Sequence, residues 1–306
     1  MKMDRRQFLA ATMAGAGGML LGRQTPVEAA PAAAPAAPAC AGPFDLVPLG
    51  KTGLKVCRTG FGTGMNGGNR QSNQTRMGKE AFEKLINEAY DRGVRLFDMA
   101  DLYGTHEFVG RVLKAKRDQC VFVSKMWTGA KGLPEAERPD ADVVVDRFRK
   151  ELQTDYIDVV QIHCMTKPTW PDDQKKQMDI LTGLKAKGIV RAVGISCHSV
   201  AAIEAAAACP WCDAVHVRIN AYGDKMDGAP ELVVPAIKKL HDAGKGVIGM
   251  KIMGMGAYRD APEKRDGSLK FVMGLGTVDA MVVGFEKAAE IDDFATRLAA
   301  VLKAKA

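Results

Sequence analysis

The feature of this sequence that most limits its fold is a regular alternation of short apolar runs with amphipathic segments. Each apolar run is about four to eight residues long, which is the length of a buried strand. The segments between the runs carry apolar residues at helical spacing, as Phe82, Leu85 and Ile86 do within residues 79–92. Apolar strands that alternate with such helices indicate a parallel sheet covered by helices.

This alternation runs from residue 60 to residue 303 and gives eight strand–helix units. The predicted strands are 60–64, 94–97, 121–124, 157–162, 191–196, 214–220, 246–251 and 280–284. The predicted helices are 79–92, 108–116, 141–152, 174–187, 200–208, 232–242, 269–273 and 288–303. Eight such units predict a closed (β/α)8 TIM barrel, in which the active site lies at the C-terminal ends of the strands.

Two further patterns bear on the fold. Residues 47–56 form two short extended arms around a Gly/Lys/Thr turn, which predicts a β-hairpin before the barrel. An open doubly wound sheet is the alternative, and it would need a Gly-x-Gly-x-x-Gly turn that leads directly into a helix. Residues 60–68 are rich in glycine, but no helical pattern follows them directly, so the barrel is favoured.

The N-terminus has the features of an export signal. Arg5 and Arg6 precede an apolar run that ends at Leu21 and is too short to span a bilayer. This arrangement resembles a bacterial twin-arginine signal. We predict a signal peptide over 1–30, an Ala/Pro-rich linker over 31–43 and a barrel domain over 44–306. The expected location is periplasmic, with the twin-arginine export machinery as a partner and no stable membrane span in the mature protein.

The charge of the chain does not indicate a nucleic-acid partner. The formal net charge is +7, and residues 1–30 carry four basic and two acidic side chains, which leaves +5 for the remainder. These basic residues are scattered and no run of them is interleaved with aromatic residues, so a nucleic-acid surface is not expected. The histidines and cysteines lack the spacing of a metal site, and none is predicted.

Four polar residues stand at or near the ends of three consecutive predicted strands. Asp98 and Tyr103 follow the second strand, Lys125 follows the third, and His163 follows the fourth. In a barrel these side chains converge, and together they suit the reduction of a carbonyl group. Tyr103 would donate a proton. Lys125 would lower the pKa of the Tyr103 phenol, and Asp98 would hold Lys125 in place. His163 would orient the carbonyl, and a nicotinamide cofactor would be needed for the hydride.

These motifs resemble the aldo-keto reductase superfamily. The resemblance rests on five stretches in the same order along the chain, namely residues 49–56, 98–104, 123–125, 161–163 and 188–196. It implies that the hairpin plugs the bottom of the barrel and that Asp98, Tyr103, Lys125 and His163 form the catalytic tetrad. It further implies an NAD(P)H-dependent reductase of aldehydes and ketones, with NADP expected and NAD possible.

The resemblance also assigns residues to the cofactor. Those expected to bind it are Ser196, Asn220, Lys251, Gly284 and Lys287. Several positions depart from the family pattern: Cys197 replaces an asparagine, Met250 replaces a stacking tyrosine, and Glu290 and Phe294 replace an arginine and an asparagine. Lys287 is then the basic residue expected nearest the adenosine phosphate, at a helix N-terminus.

Two questions stay open from sequence alone. Trp127 follows Lys125 closely and is expected to line the pocket for a small carbonyl substrate. The altered cofactor contacts leave an alternative function, an exported nucleotide-binding sensor or interaction module on the same barrel. Cys209 and Cys212 form a Cys-Pro-Trp-Cys motif that could be a redox pair. It lies on the bottom face, far from the tetrad, so free thiols or a structural disulfide are expected and a catalytic role is not.

Overall fold

The computed structural model describes residues 42–304. The strands within this range are β1 (Leu46–Pro48), β2 (Lys55–Cys57), β3 (Thr59–Gly62), β4 (Leu96–Asp98), β5 (Val121–Met126), β6 (Ile157–Met165), β7 (Val190–Cys197), β8 (Ala214–Arg218), β9 (Gly246–Met250) and β10 (Ala280–Val283). The helices are α1 (Asn73–Arg76), α2 (Lys79–Asp91), α3 (His106–Leu113), α4 (Ala141–Leu152), α5 (Trp170–Asp173), α6 (Lys175–Ala186), α7 (Val200–Ala208), α8 (Pro230–Asp242), α9 (Pro262–Leu275) and α10 (Ala288–Lys303).

The predicted (β/α)8 barrel is confirmed. Strands β3 to β10 are parallel and close in the order β10-β3-β4-β5-β6-β7-β8-β9. All C-terminal strand ends therefore meet at one mouth, where the polar residues of the sequence motifs are gathered. No helix among the described residues is long and apolar enough to cross a membrane. The predicted signal peptide, and the linker apart from Gly42 and Pro43, lie outside the described residues.

The predicted hairpin is also confirmed, and it covers the end of the barrel opposite the mouth. Strands β1 and β2 pair antiparallel. The turn between them is attached to the start of β9, because the Lys51 N–H donates to the Gly244 carbonyl at 2.9 Å. Leu49 is fully buried and belongs to one apolar cluster with Leu96 and Val159 of the barrel interior. The hairpin thus completes the core that the barrel strands enclose.

The helices pack on the barrel through the apolar stripes that the sequence shows. In α2 the buried residues are Phe82, Leu85, Ile86 and Ala89, at the predicted spacing. In α10 they are Ile291, Phe294, Leu298 and Leu302. These stripes join the second apolar cluster, which fills the space between the barrel and its helices.

Two elements exceed their predicted ranges by three residues or more. Helix α9 begins at Pro262 rather than near Leu269, because its first turns are charged and carry no apolar stripe for a periodicity argument to detect. Strand β6 continues to Met165, past a register shift against β7 between Ile162 and Met165. Cys164 lies within that irregularity with a φ of 64°, a left-handed conformation that redirects the chain directly after His163.

A buried carboxylate connects the first halves of neighbouring strands. Asp158 of β6 is fully buried, and its Oδ2 atom accepts from the Phe122 N–H and from Arg117, each at 2.8 Å. Its Oδ1 atom accepts from Arg191 of β7 at 2.7 Å. One side chain therefore links β5, β6 and β7 on the side of the barrel away from the mouth.

We expect Asp158→Ala to lower the free energy of unfolding by about 3–5 kcal/mol, because Arg117 loses its buried carboxylate partner and the buried Phe122 N–H loses its acceptor. Urea denaturation followed by circular dichroism measures the effect. The matched control is Asp146→Ala, which breaks an exposed ion pair with Lys150 and is expected to cost at most about 1 kcal/mol. Equal losses in the two variants would contradict the role assigned to Asp158.

Candidate active site

The four residues singled out in the sequence meet at the barrel mouth. The Lys125 ammonium donates to Asp98 Oδ1 and to the Met99 carbonyl, the latter at 3.0 Å. The Tyr103 hydroxyl lies 3.5 Å from His163 Nε2, and the Lys125 ammonium lies 5.5 Å from the centre of the Tyr103 ring. Tyr103 reaches this place from a short 3-10 turn over Asp101–Tyr103, which follows β4 directly.

The pKa values of Asp98 and Tyr103 are shifted in opposite directions. Burial acts to raise the pKa of Asp98, but Lys125 and His216 outweigh burial and hold this pKa well below its usual range. Burial raises the pKa of Tyr103 well above its ordinary value, and the Asp98 charge adds to that effect. Arg218 acts in the opposite sense. The tetrad thus holds a carboxylate and a protonated phenol.

One detail differs from the sequence-based expectation. Lys125 was expected to lower the pKa of Tyr103, yet the net change in this pKa is upward and Lys125 is not among its causes. Burial is the largest cause of the rise, and the Asp98 carboxylate beside Lys125 adds to it. The phenol therefore keeps its proton in this structure.

His163 is a neutral imidazole. Burial lowers its pKa well below 6.5, and the nearby Lys125 and His198 lower it further. Its Nδ1 atom is buried and has no hydrogen-bond partner among the described residues. Trp127 packs edge-on against this ring with centroids 5.5 Å apart and so lies beside the tetrad. It is not part of the lining of the cavity described below, and its place in a substrate pocket stays a prediction.

Sequence reasoning missed His216. This residue of β8 is fully buried in the barrel, and its Nε2 atom lies 3.1 Å from Asp98 Oδ1. The two groups are close but are not aligned as a hydrogen bond, so their contact is electrostatic in kind. Strand alternation could have revealed it, because every second side chain of β8 points into the barrel interior.

A second missed residue is Arg218, the last residue of β8. Its guanidinium contacts His198 Nδ1 and lies 3.2 Å from Asp227 Oδ1. Arginine can only donate, so the neutral His198 ring accepts at Nδ1 and carries its proton on Nε2. That Nε2 atom lies 3.3 Å from Cys164 Sγ.

These contacts bear on metal binding. His163, Cys164 and His198 place ligand atoms within 4.8 Å of one another, which is a spacing that a metal ion could use. In His198, however, one ring nitrogen accepts from Arg218 and the other carries the proton, so neither lone pair is free. The arrangement therefore suits a hydrogen-bonded cluster better than a cation site.

A cavity leads from the tetrad across the barrel rim to α10. Its lining residues include Gly64, Asp98, Tyr103, Met250, Lys251, Met255, Arg259, Arg265, Gly284, Glu290, Asp293 and Arg297. Lys251 and Gly284, two of the predicted cofactor residues, are among them. Met250 also lines this cavity, at the position where the family resemblance expects a residue that stacks on the nicotinamide.

Three predicted cofactor residues are placed differently. Asn220 is fully buried, and its amide bonds Asp224, Lys251, Tyr222 and Tyr258 within the protein. Its contact with a cofactor stays a prediction. Lys287 is exposed and is not part of the cavity lining. Ser196 is buried beneath the mouth and accepts from the Cys164 N–H at 2.8 Å, outside the lining as well.

The far end of the cavity carries arginines that sequence reasoning did not assign. Arg259 pairs with Glu286 at 2.6 Å, Arg265 with Asp293 at 3.2 Å, and Arg297 with Asp293 at 2.9 Å. The Nε atom of Arg265 is buried and has no hydrogen-bond partner among the described residues. An unsatisfied donor beside two further guanidinium groups fits a phosphate group.

The N-terminus of α10 carries an acidic side chain close to the predicted phosphate position. The Glu290 carboxylate accepts from the N–H of Glu286, just before the helix, at 2.8 Å. A carboxylate there would compete with a phosphate for the positive end of the helix dipole. Apart from Lys251, the basic side chains that line the cavity are Arg259, Arg265 and Arg297. Arg265 lies in the charged first turns of α9. Those turns have no apolar stripe, so the sequence did not reveal this residue.

A parallel barrel with this tetrad at its mouth defines the class of (β/α)8 oxidoreductases, and comparison with known proteins narrows the class. A model of the aldo/keto reductase family matches residues 58–292, and the chain belongs to that family. It is 31% identical over 168 residues to aldo-keto reductase YhdN of Bacillus subtilis, an alignment that covers 51% of this chain and 48% of the relative.

Further relatives agree on the fold. Methylglyoxal reductase DkgA of Yersinia pestis is 28% identical over 121 residues, which cover 37% of this chain and 39% of that protein. The chain thus spans about half the length, or less, of these two curated relatives. A solved putative aldo-keto reductase from Pseudomonas aeruginosa superposes with a TM-score of 0.70 at 24% identity, over 85% of this chain and 97% of that one. An aldo/keto reductase from Klebsiella pneumoniae, solved with NADP and acetate, superposes with a TM-score of 0.57 at 17% identity, over 82% of this chain and 89% of that one.

The buried histidines predict how stability depends on pH. Burial lowers the pKa of His163 and His216, and it lowers that of His198 to about 3. The unfolded chain takes up these protons near pH 6.5 while the folded protein does not. The contribution of these histidines to stability should therefore be constant above neutral pH and be lost as the pH drops below about 6.5. Each histidine contributes up to about 1.4 kcal/mol per pH unit.

Urea denaturation at a series of pH values measures this slope. We expect His198→Gln to reduce the slope between neutral pH and pH 5, whereas His241→Gln, at an exposed histidine, should leave it unchanged. A slope that is the same in the wild type and both variants would contradict the neutral state assigned to His198.

Proposed function

We propose that this protein reduces aldehydes and ketones to alcohols with NADPH as the hydride donor. The observation that carries the proposal is the cavity, which joins the protonated Tyr103 at one end to three arginines at the other. A nicotinamide nucleotide is extended and has phosphate groups far from its reactive ring, so it needs these two features in one cavity. A bound nicotinamide supplies the hydride that no side chain can provide.

The tetrad residues have distinct proposed roles. Tyr103 donates its proton to the carbonyl oxygen as negative charge develops there. Lys125, held in place by Asp98 and the Met99 carbonyl, is positioned to stabilise the phenolate that remains. His163 is neutral and 3.5 Å from the Tyr103 hydroxyl, so it can orient the carbonyl by a hydrogen bond without competing as an acid.

NADP is the proposed cofactor rather than NAD. The support is the group formed by Arg259, Arg265 and Arg297, since guanidinium groups bind phosphate in a bidentate manner. Their partners Glu286 and Asp293 compete for the same donors, so a 2′-phosphate would have to exchange with these carboxylates. Gly284 and Lys251 would lie along the nucleotide between the tetrad and the arginines.

The proposed substrates are small carbonyl compounds. Trp127 packs against His163 and is half-buried, which places an aromatic surface beside the position of the carbonyl. The loops near residues 65–77 and 127–139 would shape an open pocket around it. We propose a permissive substrate range on this basis.

We also propose export by the twin-arginine route to the periplasm. Arg5 and Arg6 followed by an apolar run are the sequence support for it. Cell fractionation after expression in a Gram-negative bacterium tests the proposal, with Arg5→Lys/Arg6→Lys as the variant. Accumulation of the wild type in the cytoplasm, at the same level as the variant, would contradict it.

The first experiment is a fluorescence titration of the purified protein with NADPH and NADH, followed by single-turnover reduction of a reactive aldehyde. Binding together with turnover would support the reductase. Binding without turnover of any carbonyl would instead support the sensor alternative. A protein that binds neither nucleotide would contradict both functions.

The role of Tyr103 predicts the effect of its replacement. We expect Tyr103→Phe to lower kcat for aldehyde reduction by about a hundred- to ten-thousandfold, because the proton donor is lost. NADPH affinity should stay within about twofold, because the hydroxyl is not proposed to hold the cofactor. The matched control is Tyr90→Phe, a tyrosine of α2 that bonds Gln119 on the exterior. Unchanged kcat in Tyr103→Phe would overturn the assignment.

The arginine group predicts cofactor preference. We expect Arg265→Met to raise the Kd for NADPH by about tenfold or more and that for NADH by much less, because a charge-assisted phosphate contact is removed. Fluorescence titration measures both constants, with Arg149→Met on α4 as the control for loss of a surface charge. Equal weakening toward the two nucleotides would argue against contact of Arg265 with a 2′-phosphate.

A further inference from the structure

The Cys-Pro-Trp-Cys segment on the bottom of the barrel is a site that the carbonyl-reducing function does not use. Cys209 ends α7, and Cys212 lies just before β8. Both cysteines are free thiols in this structure. Because the segment joins the end of α7 to the start of β8, the cysteines lie at the end of the barrel opposite the tetrad, where the strands begin.

The segment is a tight turn that starts at the first cysteine. The Cys212 N–H donates to the Cys209 carbonyl at 3.3 Å. Lys245 is mostly buried, and its ammonium donates to the same carbonyl at 2.7 Å, which brings a cation next to the turn. The first cysteine of the turn therefore has a fixed positive charge nearby.

The two thiols differ in exposure and in acidity. Cys209 is partly exposed, whereas Cys212 is only 2% exposed. The hydrogen bond from Cys212 outweighs burial and lowers the pKa of Cys209 to about 6, while the same bond, together with burial, raises the pKa of Cys212 well above its ordinary value. An accessible thiolate beside a buried thiol is the arrangement in which one sulfur attacks and the other resolves.

The surroundings hold the turn in this shape. Trp211 donates from its indole nitrogen to the Met178 carbonyl at 3.2 Å and to Thr182 Oγ1 at 3.1 Å, both on α6. Pro210 is exposed and has a fixed φ, which stiffens the turn between the two cysteines. The attacking sulfur is therefore preorganised in the folded protein.

We propose that Cys209 and Cys212 form a redox-active dithiol that exchanges with disulfides of small molecules or of exposed protein segments. The Cys209 thiolate attacks one sulfur of a disulfide RSSR, which forms a mixed disulfide and releases RS⁻. Cys212 then loses its proton and attacks the Cys209 sulfur, which closes the Cys209–Cys212 bond and releases the second RS⁻. The protein is oxidised by two electrons, and RSSR is reduced to two RSH once both leaving groups have taken up protons.

The test uses the full chain, first reduced and freed of reductant, then mixed with oxidised glutathione at neutral pH. Samples are quenched with acid, alkylated and analysed peptide by peptide by mass spectrometry. We expect the wild type to form the Cys209–Cys212 disulfide without a lasting glutathione adduct on Cys209. Cys212→Ser should instead accumulate that adduct, because the resolving thiol is absent. Cys209→Ser should react on the order of a hundredfold more slowly in this segment.

The matched control is Cys120→Ser, which removes a buried thiol elsewhere in the barrel and should behave as the wild type does. Circular dichroism checks that each variant folds, and Cys212→Ala replaces Cys212→Ser if the latter does not. A segment that stays reduced in the wild type, or a glutathione adduct on Cys209 that persists beside an intact Cys212, would overturn the proposal. Neither result depends on whether the protein reduces carbonyl compounds.

Discussion

The buried ion pair between Lys125 and Asp98 is the interaction on which the rest of the site depends. Two charges removed from water are costly unless each is well solvated by its neighbours. The Met99 carbonyl and the contact with His216 supply that solvation in the barrel mouth. Burial keeps the proton on Tyr103 and keeps His163 neutral, and the pair adds to both effects, because Asp98 raises the pKa of Tyr103 and Lys125 lowers that of His163. A change in either charged residue would therefore alter the protonation of the whole cluster.

Much of the fold follows from the sequence because a (β/α)8 barrel repeats one local pattern. Strands buried on both faces give apolar runs, and helices with one buried face give stripes such as that of α2. The tetrad could be placed for the same reason: Asp98, Lys125 and His163 follow successive parallel strands, whose ends meet in space. Helix α9 escaped detection at its start because its charged first turns have no apolar face.

The remainder of the site could not be predicted because it depends on which partners the individual side chains bond in the folded protein. Asn220 has the right residue type for a carboxamide contact, but loop residues satisfy its amide within the protein. His216 and Arg218 lie on a strand whose inward face was known in principle, yet their partners are Asp98 at the end of β4 and His198 just after β7. Long-range pairings of this kind leave no local trace in the chain.

The Glu290 carboxylate on the first turn of α10 has a consequence for how a nucleotide enters. The cavity already contains its own anions, Glu290 and Asp293, and these pair with or lie near the arginines that a phosphate would need. Nucleotide binding would thus be an exchange of one anion for another rather than the neutralisation of free positive charge. Few counterions would be released in such an exchange, so the affinity would depend only weakly on ionic strength. The loaded cavity would then hold the charge of the phosphate in addition to both carboxylates, so the ion pairs would have to rearrange around it.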